Sequence, residues 1–381
     1  IKQYLFILIK KRGRIFFNGS PTPSLGVEVE LQIFNKDDYS LYPGAPLILE
    51  QFPGSMKIKE ELLESIIEIN TDICKDVGQA RADLTSTISE VNKFVESKNL
   101  GLVSMATHPF SSWTDQSITK SERYIHFLDR MQWPLRRLLI TGIHVHVGVE
   151  SGEKAIAVTN GLMRYIPHMI GISANSPFFA GEKTGLASTR TKIFEAMPTA
   201  GLPPKLVNYS EFQKFMRTLQ KANTIESIRE VWWDIRPHPG FGTVEIRVFD
   251  SVPTIEDIIK LAAFAQTLVV GISDHYDEGT QLDFLDSWII TENKWRATRY
   301  GLDADIIVDE NGNQQSLKGA IIDTIDKLIP VARELGCAEE FESIVDDVEN
   351  NASPYTRQVR IEEESGSMKE IVKEFNLNLV S

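Results

Sequence analysis

Leu25-Gly-Val-Glu-Val-Glu-Leu31 decides how this chain is read. Side chains alternate between the two faces of a strand. As a strand, this stretch puts Val27, Val29 and Leu31 on one face and Glu28 and Glu30 on the other. Three more segments repeat the pattern. Ser65-Ile-Ile-Glu-Ile-Asn70, if extended rather than helical, sets Glu68 and Asn70 opposite Ile67 and Ile69. Gly142-Ile-His-Val-His-Val-Gly148 sets His144 and His146 opposite Ile143, Val145 and Val147. Thr243-Val-Glu-Ile-Arg-Val-Phe249 sets Glu245 and Arg247 opposite Val244, Ile246 and Val248. Each strand has an apolar face for a core and an ionisable face in place of the Thr, Ser, Lys and Gln of an ordinary exposed one.

Carboxylates clustered on one sheet repel each other unless cations lie between them. Oxygen-rich sites with a minor histidine component suit Mg²⁺ or Mn²⁺. Glu28, Glu30 and Glu245 are the first ligand candidates, followed by Glu68. His144 is a ligand, a phosphate contact or a satisfied structural histidine, and His146 shares its face. His108 stands at a strand end and is undecided; His126, His168 and His275 fall in helical patterns. Phosphate-binding glycine loops are absent, so phosphates would be held by metal and by cationic side chains. Arg190, Arg236, Arg247, Lys294 and Arg296 are the candidates, each with a surface salt bridge as the alternative.

Val231 to Asp250 reads as a hairpin turning through Pro237, Pro239, Gly240 and Gly242, which brings Asp234 and Arg236 near Glu245 and Arg247. Trp232 and Trp233 are read as packing residues. Helices are predicted from Gly78 to Asn99, from a cap at Ser210, from a cap at Thr254, and from Ser316 to Gly336. Two long connections, 35–57 and 175–210, are rich in proline and glycine. The second carries Phe178, Phe179, Ile193, Phe194 and Met197, too apolar for a linker, and is read as an ordered lid.

With 381 residues, 42% of them hydrophobic, the chain can bury a large core. Its net charge of -13 opposes nucleic acid and anionic lipid as partners. No apolar run reaches about 18 residues, so no membrane span is expected. The two cysteines, Cys74 and Cys337, have no zinc or disulfide spacing and read as reduced residues of a cytoplasmic protein, a catalytic thiol being the alternative. Residues 1–17 are apolar and then basic, the reverse of a signal peptide. They read as an extension or edge strand, with 18–381 as a single catalytic domain.

In order along the chain stand Gly26-Val-Glu-Val-Glu-Leu31, Ile69-Asn-Thr-Asp-Ile-Cys74, Gly142-Ile-His-Val-His-Val-Gly148, Asn175-Ser-Pro-Phe178, Arg190 through Gly-Leu-Pro-Pro204, Trp232-Trp-Asp-Ile-Arg236, Gly242-Thr-Val-Glu-Ile-Arg247 and Asn293-Lys-Trp-Arg296. Together they resemble the bacterial carboxylate–amine ligases of the second glutamate–cysteine ligase family, from about Leu25 to about Arg357. Many members carry three successive glutamates where this chain has Glu28, Val29 and Glu30; the middle position points to the apolar face. The resemblance implies an α+β, glutamine-synthetase-like fold, an antiparallel β-sheet funnel with helices on its outer face. It implies ATP-dependent joining of a carboxylate such as glutamate to an amine such as cysteine through an acyl phosphate, with Mg²⁺ (or Mn²⁺), and homodimers. Glu28, Glu30, Glu68, His144 and Glu245 would take metal, with Glu61 a further acid. Arg247 and Arg190 would be catalytic. Lys294, Arg296, Arg236 and His146 would contact the nucleotide. The rival readings are a Zn²⁺ hydrolase or lyase using His144, His146 and Glu28, and a catalytically silent member.

Overall fold

The computed structural model describes residues 15–280 and 284–379. Seven strands form one sheet: β1 (Leu25–Asn35), β2 (Ile58–Glu60), β3 (Ile66–Asn70), β4 (Leu100–Val103), β5 (Gly142–Gly148), β6 (Ile235–His238) and β7 (Thr243–Asp250). Their order is β6-β7-β5-β1-β3-β2, with β4 paired to the far end of β1, and every pairing is antiparallel. The segment around Glu68 is therefore extended.

The alternation sorts the two faces. Val27, Val29, Ile67, Ile69, Val145, Val147, Val244 and Ile246 all enter one large core. Helices pack on that side, among them α1 (Val77–Glu96) and α4 (Ile255–Asp277). Helix α1 is capped by Asp76, which accepts from the Gln79 amide at 2.8 Å. Helix α4 is capped by Thr254, which accepts from the Asp257 amide at 3.0 Å. Side-chain oxygens here satisfy amides that have no partner in the first turn.

The ionisable face is covered by α2 (Glu122–Met131) and by the segment that holds α3 (Thr189–Phe194). The 175–210 segment is ordered, and Phe178 and Ile193 are buried. Two further helices, α5 (Ser287–Tyr300) and α6 (Leu317–Leu335), follow; α6 starts at the Ser316 cap and ends at Gly336, which takes a left-handed φ of 73°. Such a φ suits glycine because it lacks a Cβ.

Several local expectations change. The connection 35–57 contains a helix over Ala45–Gln51, with Pro46 in its first turn where a missing N–H costs nothing. The helix expected behind a cap at Ser210 starts two residues earlier, because Asn208, not Ser210, is the cap and accepts from the Glu211 amide at 2.9 Å. Of the N-terminal extension, residues 1–14 lie outside the described residues. Ile15 to Phe17 are not in a strand, and the Ile15 carbonyl accepts from Tyr209 and Gln213. Both cysteines are free and buried. Among the described residues, no helix is long and apolar enough to cross a membrane.

Val145 sits in the middle of this core, opposite Val27 and Ile246. Val145→Ala is expected to destabilise the protein by about 2 kcal/mol through lost burial and a residual cavity. The same truncation at Ile73, which is 86% exposed, is expected to leave Tm unchanged. Thermal unfolding of the two variants checks this; equal shifts would contradict the assignment of the faces.

Candidate active site

Strand register brings distant residues together. Glu28 faces Asn70 on β3 and His144 on β5; Glu30 faces Glu68; His146 faces Glu245; Glu245 faces Arg236. The result is one polar floor beneath a cavity of about 300 Å³. Its lining includes all five predicted metal positions together with His146, Arg190, Arg236 and Arg247.

Three groups of donors converge on this floor: Glu28, His146 and Glu245; Glu28, Glu68 and His144; and Glu30, Glu61 and Glu68. Within each group the donor atoms lie within 4.8 Å of one another. Glu28 and Glu68 each belong to two groups, so the groups share walls. Carboxylates outnumber imidazoles in all three, which is the donor chemistry of a hard cation.

The electrostatics show what such a cation would relieve. Burial, together with the charges of Glu68 and Glu30, pushes the Glu61 carboxyl well above the usual range. Burial also raises Glu30, against the pull of Arg190, the Gly142 amide and Arg247. Glu28 is the opposite case: burial raises it, but His144 and His146 outweigh burial and hold it well below the usual range. His144 Nδ1 lies 3.1 Å from Glu28 Oε2. A carboxylate at Nδ1 fixes the imidazole and leaves Nε2 for a ligand. His146 Nε2 lies 3.4 Å from Glu28 and 3.9 Å from Glu245, and is buried with no hydrogen bond. This orphaned nitrogen faces two carboxylates, as a metal ligand would.

Arginines border the carboxylates. Arg236 holds Glu245 through two bonds, Nε to Oε2 at 2.7 Å and Nη2 to Oε1 at 3.1 Å. Arg247 also donates to Glu245. Burial raises Glu245, but Arg236 and Arg247 prevail and keep it well below the usual range. The Nε atoms of Arg190 and Arg247 are buried with no hydrogen-bond partner. Two fixed guanidinium groups with unused donors suit a multiply charged anion.

A β-bulge sets the Arg190 position. The β5–β7 register shifts between Ile246 and Phe249, so Arg247 and Val248 together oppose His144. A bulge interrupts the ladder and re-aims side chains. Arg190 Nη2 donates to the Arg247 carbonyl at 3.1 Å, and Nη1 to the Val248 carbonyl at 3.3 Å. The guanidinium passes directly over Gly142, where a Cβ would lie 2.2 Å from Nη2. At the base of α3, Asp250 accepts from Ser176 at 2.8 Å and Ser188 at 2.9 Å.

Lys294 and Arg296 are not brought to the cavity. Lys294 is buried between Asp234 and Glu195, and Arg296 bonds Glu292 and the Asp305 carbonyl at the surface. His108 is buried elsewhere, beside the Tyr39 carbonyl and the Ser111 amide. Trp233 packs in a cluster with Phe212, whereas Trp232 lines the cavity. The sequence reading missed His238, Phe241, Arg123 and Lys59, all of which line it. His238 had a signal: it follows Arg236 by two on the same strand, hence on the same face. Burial lowers its imidazole to about 3, and its ring stacks on Phe241 with centroids 4.1 Å apart.

Comparison with known proteins follows the same lines. The family model described as glutamate-cysteine ligase family 2 (GCS2) matches residues 24–374. A Thermobifida fusca protein provisionally named glutamate–cysteine ligase 2 is 43% identical over 94% of this chain and 91% of its own. A Frankia alni protein provisionally named glutamate–cysteine ligase 2-1 is 46% identical over 91% of this chain and 92% of its own. In fold, the chain resembles the crystal structure of a glutamate–cysteine ligase from Francisella tularensis in complex with AMP. The TM-score is 0.69 at 13% identity, over 97% of this chain and 90% of that one.

The Glu61 carboxyl gives a test of the floor that needs no substrate. The unfolded chain releases this proton in the ordinary carboxylate range, and the folded protein keeps it to higher pH. The contribution of Glu61 to the stability of the metal-free protein therefore falls as pH rises between those two values. Glu61→Gln is expected to flatten that decline and to raise Tm at neutral pH. Added Mn²⁺ is expected to raise the wild-type Tm, because it binds only the folded state, and to raise the variant's less. Identical pH profiles with identical Mn²⁺ responses would remove Glu61 from the floor.

Proposed function

The chain belongs to the glutamate–cysteine ligase family 2, and from that premise we propose that it is an ATP-dependent carboxylate–amine ligase, with glutamate as the acid and cysteine as the amine. The substrates are those named for its relatives. The observation that carries the reading is the juxtaposition of three carboxylate-rich donor groups with the free donors of Arg190 and Arg247 in one cavity.

Glu28, Glu30, Glu61, Glu68, His144, His146 and Glu245 would hold Mg²⁺ or Mn²⁺. A bound divalent ion supplies charge neutralisation for the phosphates and polarises the transferring phosphoryl group. The chain's own residues do the rest. Arg190 and Arg247 orient the γ-phosphoryl group and stabilise charge on its oxygens as the carboxylate oxygen attacks phosphorus and ADP leaves. That step forms an acyl phosphate. The amine nitrogen then attacks the acyl carbon, the C–O bond to phosphate breaks, and the proton lost from the amine passes to the departing phosphate. Arg236 keeps Glu245 ionised, so that it remains an acceptor throughout. The helices α2 and α3 wall the cavity, through Tyr124 and Phe127 and through Phe194, and exclude the water that would hydrolyse an acyl phosphate.

The zinc hydrolase reading is less well supported. His144 and His146 fall in different donor groups, each with two carboxylates. Zn²⁺ sites draw more heavily on imidazole and thiolate.

The test is ADP release and product mass from ATP, Mg²⁺, glutamate and a panel of amines. ADP release that depends on an amine and yields the γ-glutamyl amide is expected, with cysteine as the best acceptor. ATP hydrolysis that ignores the amine, or the absence of any amide, would contradict the proposal. Arg247→Lys keeps the charge but not the fork, and is expected to lower kcat by about 10²-fold. An unchanged kcat would make Arg247 structural.

A further inference from the structure

Lys294 lies outside the cavity, yet it is 2% exposed and its ammonium meets two carboxylates, Asp234 Oδ2 and Glu195 Oε1, each at 2.6 Å. Burial opposes its charge, but Asp234 and Glu195 outweigh burial and keep it protonated. A buried ion pair is a poor source of net stability, since desolvation cancels most of the Coulomb gain. What it joins is more informative.

Glu195 is the residue that ends α3, the lid helix. It also accepts from Lys192 at 2.5 Å, and Lys192 lies over the Trp295 ring on α5. The opposite end of α3 is fixed separately, by Ser188 on Asp250. Between these two anchors α3 carries Arg190 and Phe194, and the Arg190 guanidinium lies 5.7 Å from the centroid of the Phe194 ring. Asp234 is placed as tellingly. Its carbonyl accepts the Arg247 amide at 2.8 Å, and its own amide donates to the Gly201 carbonyl at the end of the lid. One ammonium therefore ties the helix that carries Arg190 to the residue that holds the backbone of Arg247.

We propose that Lys294 is a positioning residue. By gripping Glu195 and Asp234 it fixes α3 against the sheet edge, so that Phe194 closes over Arg190 and the two guanidinium groups keep their mutual geometry. Its kinetic consequence rests on the ligase reading above; its structural consequence does not.

Two measurements separate them. Lys294→Met removes the charge at similar volume. Glu195→Gln, at a partly exposed position, leaves the Lys294–Asp234 pair in place and serves if the first variant does not fold. Hydrogen exchange of amides 190–197 is expected to accelerate at least about tenfold in both variants, with β1 and β5 unchanged, as local opening of one anchor requires. With wild-type ligase activity, kcat is expected to fall while KM for ATP stays within about twofold, and the loss is expected to shrink sharply in an Arg190→Lys background, since coupled residues are not additive. Unchanged exchange in the folded variants would overturn the clamp. Losses that multiply independently of Arg190→Lys would overturn its action through Arg190. If the wild-type protein makes no amide, the ligase reading falls while the exchange measurement still decides the clamp.

Discussion

Carboxylates crowded onto one buried sheet face must either meet cations or keep their protons. That constraint organises this molecule. Glu28, Glu30, Glu61, Glu68 and Glu245 share a floor, and fixed arginines answer only part of their charge. Glu245 is answered by Arg236 and Arg247 and stays ionised. Glu61 and Glu30 are not fully answered, and they hold their protons more tightly than an ordinary carboxyl. The unbalanced half of the floor is the half where the proposed divalent ion would be held.

The opposite face of the same strands is bound to a different requirement. Valine and isoleucine there bury the sheet against α1 and α4, which makes a one-residue slip of register costly. Register is what brings His144 to Glu28 and His146 to Glu245. The core thus fixes the site by fixing the pairing. The bulge in β7 interrupts that pairing. It buries Val248 and Phe249 together and offers Arg190 the carbonyls of Arg247 and Val248. A glycine at position 142 makes room for the guanidinium.

Much of this was legible in the sequence because a period of two is a strong signal. Three of the strands, their polar faces and the hairpin within Val231 to Asp250 follow from alternation and turn residues alone, whereas the segment around Glu68 fitted a strand or a helix. Pairing order and register do not, since they depend on contacts more than a hundred residues apart, such as Gly142 with Glu30. Lys294 and Arg296 show why cations were harder to place than acids. Their charge is visible locally, but the partners that claim Lys294, Asp234 and Glu195, are 60 and 99 positions away. The helix over Ala45–Gln51 was hidden by flanking proline and glycine that mark its ends rather than forbid it. His238 was overlooked although the same alternation that selected Arg236 also selects it.

The central claim is that the polar floor binds divalent ions beside a nucleotide's phosphates. Anomalous diffraction at the manganese edge tests it most directly, on crystals grown with Mn²⁺ and a non-hydrolysable ATP analogue. The account predicts anomalous peaks among Glu28, Glu30, Glu68, His144 and Glu245, with the analogue's terminal phosphate between them and Arg190 or Arg247. A nucleotide bound elsewhere, or manganese absent from these carboxylates, would contradict it.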